Sequence, residues 1–171
     1  MPWFRTLLWI GTIFLMIVLG VKAYHLRSAQ VATVEAFEMA GKDEASEILR
    51  SWTEKEVLYT VKSSIRLDYL FIVFYVLLMI NCSNHQMNLE QNLAMNNLLR
   101  FSIPLAVDTG ILDVAENLIM MHNIRSIEDF FPTALIATVK FVFAAWIVVV
   151  WLISIVKPGV MRKPLNPLKG T

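Results

Sequence analysis

The chain contains a single cysteine, Cys82, and few of the residues that mark catalytic loops. One thiol excludes both an intrachain disulfide framework and a zinc site built from several thiolates. A phosphate-binding loop, a nucleophile elbow and a dinucleotide fingerprint are also missing, and no histidine completes a Glu-x-x-His or His-x-x-x-His pair. The sequence therefore predicts no cofactor and no metal, and it offers no nucleophile to an enzyme.

Charged residues are scarce as well. They make up 17% of the 171 residues, against 57% hydrophobic residues, and the formal net charge is only +1. A charge so close to zero, without a basic stripe among aromatic residues, excludes a nucleic-acid partner. A chain this apolar is untypical of a soluble fold, and its length suits one domain. We therefore predict a single membrane domain, residues 1–171, surrounded by membrane lipids.

Four long apolar stretches predict membrane-spanning helices, because a bilayer core takes about 17 to 25 apolar helical residues. Their approximate bounds are 6–24, 67–83, 101–123 and 134–156. Lipid offers no hydrogen-bond partner to the backbone, so an open chain can span it only as helix. The predicted fold is all-α: a four-helix transmembrane bundle with a short helical extramembrane cap between helices 1 and 2, at about 28–64.

Local signals divide the cap into amphipathic pieces. The first is expected to end near Gly41, and Asp43 is expected to cap the second. The letters "TEKE" at 53–56 match a capping box, in which Thr53 and Glu56 satisfy each other's backbone donors. Because no Gly or Pro occurs from residue 42 to residue 103, a helix from about 53 is predicted to continue unbroken into the second span.

The third stretch is unusual because it holds three carboxylates, Asp108, Asp113 and Glu116. On a helical wheel its aliphatic residues share one sector, and its polar residues spread over the opposite side. The aliphatic residues are Ile103, Val107, Ile111, Val114, Leu118 and Met121. This pattern predicts an embedded helix that turns its aliphatic face to lipid and its polar face to partner helices. An ordinary soluble helix shows the same stripe.

Depth along the helices predicts where the polar residues meet. Lys140 lies about 9 Å from the outer end of the fourth span, and Glu116 lies at a matching depth in the third. A polar cluster is therefore expected in the outer half of the bundle, formed by Asp68, Tyr75, Asp113, Glu116, Asn117 and Lys140. Asp108 lies nearer the middle of its helix, at the edge of the polar sector, and is not part of this set.

Several functions fit such a cluster. One lysine cannot neutralise the acids, so the surplus must be protonated, hydrated or bound to a cation. The first hypothesis is a binding or transport-accessory protein for a small amphipathic or cationic ligand. The second is a structural or assembly subunit, in which the cluster only fixes helix packing and a membrane protein partner or a second copy docks. An intramembrane enzyme that uses the carboxylates as acid and base is a third, and a metal site the weakest.

Orientation follows from basic residues near the span ends. Four spans put both termini on one side, and the basic tail at 157–170 favours the cytoplasm for that side. Lys22, Arg27, Lys62 and Arg66, close to the other ends, favour the reverse. On the tail, we predict that both termini are cytoplasmic.

Four short sequence blocks lie in the cap and in the second, third and fourth predicted spans. They are "FEMAGKDEASEILRSW" (37–52), "IRLDYLFIVFY" (65–75), "GILDVAENLIM" (110–120) and "VKF" (139–141). Together they resemble a family of small, uncharacterised bacterial proteins with four transmembrane helices. The matching positions are Asp68, Asp113, Glu116, Asn117 and Lys140, whereas Asp108 departs from the pattern. The resemblance implies this architecture and a bacterial inner-membrane location, and it implies no mechanism.

Overall fold

The computed structural model describes residues 2–161, with side chains from 3 to 156. Over this range the chain forms six α-helices, one 3₁₀ turn (Ile127–Asp129) and no β-strand, so the all-α prediction is confirmed. The helices are α1 (Pro2–Ser28), α2 (Val34–Met39), α3 (Lys42–Glu54), α4 (Leu58–Leu89), α5 (Leu93–Arg125) and α6 (Ala134–Met161).

Three of the long helices are apolar enough to cross a membrane. They are α1 over Trp3–Ser28, α4 over its whole length, and α6 over Ala134–Val156. These three are consistent with an integral membrane protein. The predicted span at 101–123 lies within α5, which does not reach the same apolarity because of its carboxylates and its Asn-rich start. The four-helix transmembrane bundle is therefore not established by helix length and composition.

The two faces of α5 separate as the wheel predicted, except that Asp108 is exposed. Ile111 and Leu118 are exposed by 61% and 59%, whereas Asp113, Glu116 and Asn117 are buried. α5 also starts earlier than the predicted span, because the Asn92 side chain accepts hydrogen bonds from the backbone N–H groups of the first turn. Pro104 lies inside this helix and does not begin it.

The long helices pack side by side. α4 contacts α1, α5 and α6, and α5 contacts α6. The cap, residues 29–57 with α2 and α3, covers the end where α1 and α5 finish and where α4 and α6 begin. We call this the cap end and the opposite one the terminal end. α2 contacts α4, α5 and α6, so the cap rests on the ends of three long helices.

The cap has an apolar core of its own. The Phe37 and Trp52 rings lie 4.9 Å apart between centroids, and both side chains are almost fully buried. The indole Nε1 of Trp52 donates a hydrogen bond of 2.8 Å to the Ala32 carbonyl. Leu26 of α1 and Met120 of α5 join the same buried cluster, so the cap and the long helices share one core.

A turn separates α3 from α4, and here the capping-box prediction is wrong. Thr53 lies in the last turn of α3, and its hydroxyl donates to the Leu49 carbonyl. Glu56 takes a left-handed conformation with φ 57°, and the N–H of Val57 bonds to the carbonyl of Trp52. This is a Schellman ending. It separates α3 from α4, so the predicted start at about 53 is wrong. The predicted continuation into the second span is confirmed, because α4 runs unbroken over Leu58–Leu89.

One smaller prediction in the cap is wrong as well. Asp43 does not cap α3, because Gly41 is its N-cap residue and Asp43 lies in the first turn. Gln30, with φ 58°, ends α1 with the same pattern as Glu56, since the N–H of Val31 bonds to the Leu26 carbonyl. In both endings the two residues joined by the outer hydrogen bond are buried apolar side chains, Leu26 with Val31 and Trp52 with Val57. Their burial explains why the chain accepts a non-glycine residue in the left-handed conformation there.

Apolar contacts hold the terminal end. Gly11 of α1 lies against the Phe74 ring of α4, where an added Cβ would overlap the ring. The Trp9 and Trp151 rings, with centroids 5.9 Å apart, join α1 to α6. Leu8 and Leu78 are buried beside them. Close approach of helices at a small residue is typical of membrane proteins.

Candidate functional site

Lys140 is the centre of the buried polar cluster. Its Nζ donates hydrogen bonds to Asp113 Oδ1 at 2.8 Å and to Glu116 Oε1 at 2.9 Å. The same Nζ lies 3.4 Å from Glu38 Oε1, so three carboxyl groups surround one ammonium. Lys140, Asp113, Glu116 and Glu38 are each less than 8% exposed. The ion pairs therefore act away from water, where charge interactions are strong and unpaired charges costly.

Two further hydrogen bonds join α4 to α5. Tyr75 donates its hydroxyl to Asp113 Oδ2 at 2.8 Å, and Asn117 donates Nδ2 to Asp68 Oδ2 at 2.7 Å. Asp113 is therefore held from both sides, by Lys140 and by Tyr75. Tyr75, Asp113, Glu116 and Glu38 are therefore bonded around Lys140, and the Asp68–Asn117 pair lines the same cavity without a bond to them. We call these seven residues, which include all six that the sequence predicted, the Lys140 cluster.

Glu38 was missed by the sequence argument. It belongs to the short helix α2 of the cap, and α2 is held over the cluster because Thr133 Oγ1 donates a hydrogen bond of 2.6 Å to the Glu38 carbonyl. A six-residue helix carries too little periodicity to show which face is buried. The available signal was the block at 37–52, in which Glu38 follows the buried Phe37 directly.

The cluster holds more carboxyl groups than cations. Among the described residues, Glu38 Oε1 and Glu116 Oε2 are buried without a hydrogen-bond donor, although Glu116 Oε2 lies 2.8 Å from Lys140 Nζ. Burial raises the pKa of Glu38, an effect that the nearby Lys140 ammonium only partly offsets. The cluster thus holds four carboxyl groups and one cation, and only Glu38, Asp113 and Glu116 contact that cation. It therefore carries a surplus of negative charge or holds protons.

A cavity of about 550 Å³ lies beside this cluster. Its polar wall is formed by the cluster, and its apolar walls come from α1, α4 and α6. Met16, Gly20 and Phe141 line the cavity and are also exposed at the surface, so the cavity opens sideways between α1 and α6. Cavities of this size and character are typical of small-molecule sites.

One face of α4 combines a carboxylate with two aromatic rings. Asp68, Phe71 and Tyr75 stand at i, i+3 and i+7, and all three line the cavity. The rings of Phe71 and Tyr75 lie 5.3 Å apart between centroids. Asp68 has no ion pair within residues 3–156, and its one hydrogen bond comes from a neutral amide. A carboxylate beside aromatic faces is chemically suited to an organic cation.

Asp108 lies apart from this site. It is exposed on the outside of α5, next to the exposed Val107, and does not lie at the edge of the buried polar sector. The reason is angular: Thr109 and Asp113 face the other helices and Asp108 stands about 100° away from Thr109.

Comparisons with known proteins do not assign this chain to a family. No family model, curated protein or solved structure matches this chain. Among the residues whose side chains are described, no group of three His, Cys, Asp or Glu side chains is arranged to hold a metal ion. The class that the helices and the site define is an all-α protein with three apolar candidate spans and a buried lysine–carboxylate network.

Proposed function

We propose that this chain is an integral membrane protein that crosses the bilayer four times and binds a small amphipathic cation in the cavity beside the Lys140 cluster. The bundle would consist of α1, α4, α5 and α6. In this proposal the protein belongs to the bacterial inner membrane, with both termini in the cytoplasm, and to the family that its four blocks resemble.

The two faces of α5 support it as a membrane span in addition to the three apolar helices α1, α4 and α6. Its charged groups at Asp113 and Glu116 are buried against α4 and α6, whereas Ile111 and Leu118 remain for lipid. A charged side chain at the centre of a membrane helix costs at least about 2.5–3.5 kcal/mol, and pairing inside a bundle lowers that cost. The contact of Lys140 with both acids is therefore what allows α5 to lie between two apolar spans.

Ligand binding is carried by one observation: the carboxylate without a cation faces the cavity. Lys140 is saturated by three carboxyl groups, so it cannot also neutralise Asp68. A cationic head group beside Asp68 would supply the missing charge, and the rings of Phe71 and Tyr75 would contact its substituents. The apolar walls towards Met16 and Phe141 suit an alkyl chain that enters from the lipid side.

The test measures thermal unfolding of the purified protein in a neutral detergent with hexyltrimethylammonium as the probe. We expect the cation to raise the unfolding temperature by a few degrees, whereas hexanesulfonate and hexanol have little effect, because binding to the folded state alone stabilises it. Asp68→Asn should abolish the shift. Asp108→Asn removes an exposed carboxylate from the neighbouring helix and should leave the shift unchanged. Stabilisation that survives Asp68→Asn, or that the sulfonate reproduces, would refute the proposal.

A second function is favoured by the direct contacts of Lys140. Since its ammonium already touches Asp113 and Glu116, the cluster can act as a structural lock in a subunit that docks on a membrane protein partner or a second copy. In that case no cation stabilises the protein, and a defined partner or a dimer persists after purification in mild detergent. The two functions therefore give opposite results in the same preparation.

A further inference from the structure

We propose a second binding site, for the phosphate head group of an anionic phospholipid, in a cleft between α4 and α5 at the cap end. The cleft has a volume of about 330 Å³ and is lined by Arg66, Tyr69, Leu118, Met121, His122 and Arg125. We call it the basic cleft. The proposal depends on the proposed membrane embedding and not on the cavity ligand, because the basic cleft and the Lys140 cavity have no lining residue in common.

Along α5 the basic side chains lie at the helix end and the apolar ones further inside, which matches the head group and the acyl chains of a phospholipid. Leu118, Met121, His122 and Arg125 stand at i, i+3, i+4 and i+7 and so line one face of α5. Leu118 to Arg125 spans about 10 Å along the helix. The exposed Leu118 lies towards the middle of the helix, and Arg125 is its last residue. A phosphate held near Arg125 would therefore direct its acyl chains along Leu118.

The charges in the cleft are free to bind an anion. Within residues 3–156 the ion pairs are those of Lys140 and the Arg50–Glu54 pair, and neither Arg66 nor Arg125 takes part in one. Among the residues whose side chains are described, no carboxylate lines the cleft. Two guanidinium groups can each hold phosphate oxygens through paired N–H donors, and the Tyr69 hydroxyl and the His122 ring supply further donors.

A lipid explains the cleft better than a soluble phosphate. Two of the four α5 residues that line the cleft, Leu118 and Met121, are apolar and would gain nothing from a free phosphate ion. Two arginines beside apolar side chains suit an anionic head group that carries acyl chains. The site therefore recognises a phosphodiester that carries acyl chains.

The experiment compares lipid binding to the full chain in neutral detergent by native mass spectrometry, with phosphatidylglycerol, phosphatidylcholine and soluble glycerol phosphate as probes. We expect the wild type to bind phosphatidylglycerol in preference to phosphatidylcholine, and Arg66→Gln with Arg125→Gln to weaken that binding about tenfold or more. Arg50→Gln with Lys55→Gln removes the same charge from exposed positions on the cap and should leave binding unchanged.

The outcomes separate the alternatives. Equal loss in the cap control would mean that total charge attracts the lipid, and competition by glycerol phosphate at the concentration of the lipid would assign the cleft to a soluble phosphate. Either result overturns the proposal. Arg125→Lys keeps the charge but loses the paired donors, so an intermediate loss is expected. The two proposals can also fail separately. If phosphatidylglycerol binds as expected but hexyltrimethylammonium does not stabilise the protein, the basic cleft is supported and only the cavity ligand is refuted.

Discussion

The cap end and the terminal end of the long helices are joined by different contacts. At the cap end, Lys140 of α6 meets Asp113 and Glu116 of α5 in buried ion pairs, and Tyr75 of α4 extends the network. At the terminal end, α1 meets α4 where Gly11 touches the Phe74 ring. Hydrogen bonds and ion pairs in a buried network are directional, and a buried polar group left without its partner costs free energy. An apolar contact depends instead on the shape and volume of the side chains. The two ends should therefore respond differently to substitution.

The largest effect is expected at the centre of the network. Lys140→Met leaves the surrounding carboxylates without their cation and should lower the free energy of unfolding by about 3–5 kcal/mol. The measurement is unfolding in mixed detergent followed by circular dichroism. Adding Glu116→Gln should recover part of the loss, because one uncompensated charge is removed. Lys55→Met, at an exposed position, serves as the control. Equal stability of the Lys140 and Lys55 variants would show that the network contributes nothing.

The terminal end should respond to added volume. Gly11→Ala puts a methyl group into the Phe74 ring and should cost about 1–3 kcal/mol. Gly20→Ala on the same helix is the matched control, since an added Cβ there meets no atom within 4 Å. The control should be neutral or slightly stabilising, because alanine favours a helix. If both alanines behave alike in the same unfolding measurement, the close contact of α1 with α4 is not a constraint.

The third effect is a pH dependence that only the cap end should show. Burial raises the pKa of Glu38 above its usual 4.5, so the folded protein binds this proton more tightly than the unfolded chain. Its contribution to stability is complete at low pH and is lost as the pH rises from about 4.5 through the folded value. Glu38→Gln should flatten this slope in unfolding curves recorded from acid to alkaline pH. Glu35→Gln on the same helix is the control, and an identical slope in both variants would exclude Glu38 as the source.

The smallest effect concerns the endings that connect the cap to the long helices. Glu56→Gly removes the strain of a non-glycine residue in the left-handed conformation. This gain should exceed the conformational entropy that glycine adds to the unfolded chain, so we expect the protein to be stabilised by up to about 1 kcal/mol. Gln30→Gly should behave in the same way. Glu47→Gly, at an exposed position within α3, should instead destabilise by about 0.5–1 kcal/mol. A loss of stability at position 56 comparable to that at position 47 would contradict the Schellman ending.

Much of the architecture was accessible from local pattern. The long apolar runs predicted three of the helices, and the angular separation of aliphatic and acidic residues predicted which face of α5 is buried. Depth along neighbouring helices placed Lys140 level with Glu116, and the two side chains are in contact. These features depend on helical period and rise, which are the same in every α-helix.

Tertiary structure decided the rest. Glu38 reaches Lys140 only because α2 is held against α6 through Thr133, a contact between residues far apart in the chain. The break at Glu56 follows from the burial of Trp52 and Val57 in a shared core, which overrode the local capping signal. The cavity and the basic cleft are each lined by residues of different helices, so they exist only once those helices have packed together. Period and rise are properties of one segment, so sequence determines them alone, whereas burial and empty space belong to pairs of segments and appear only when the chain has folded.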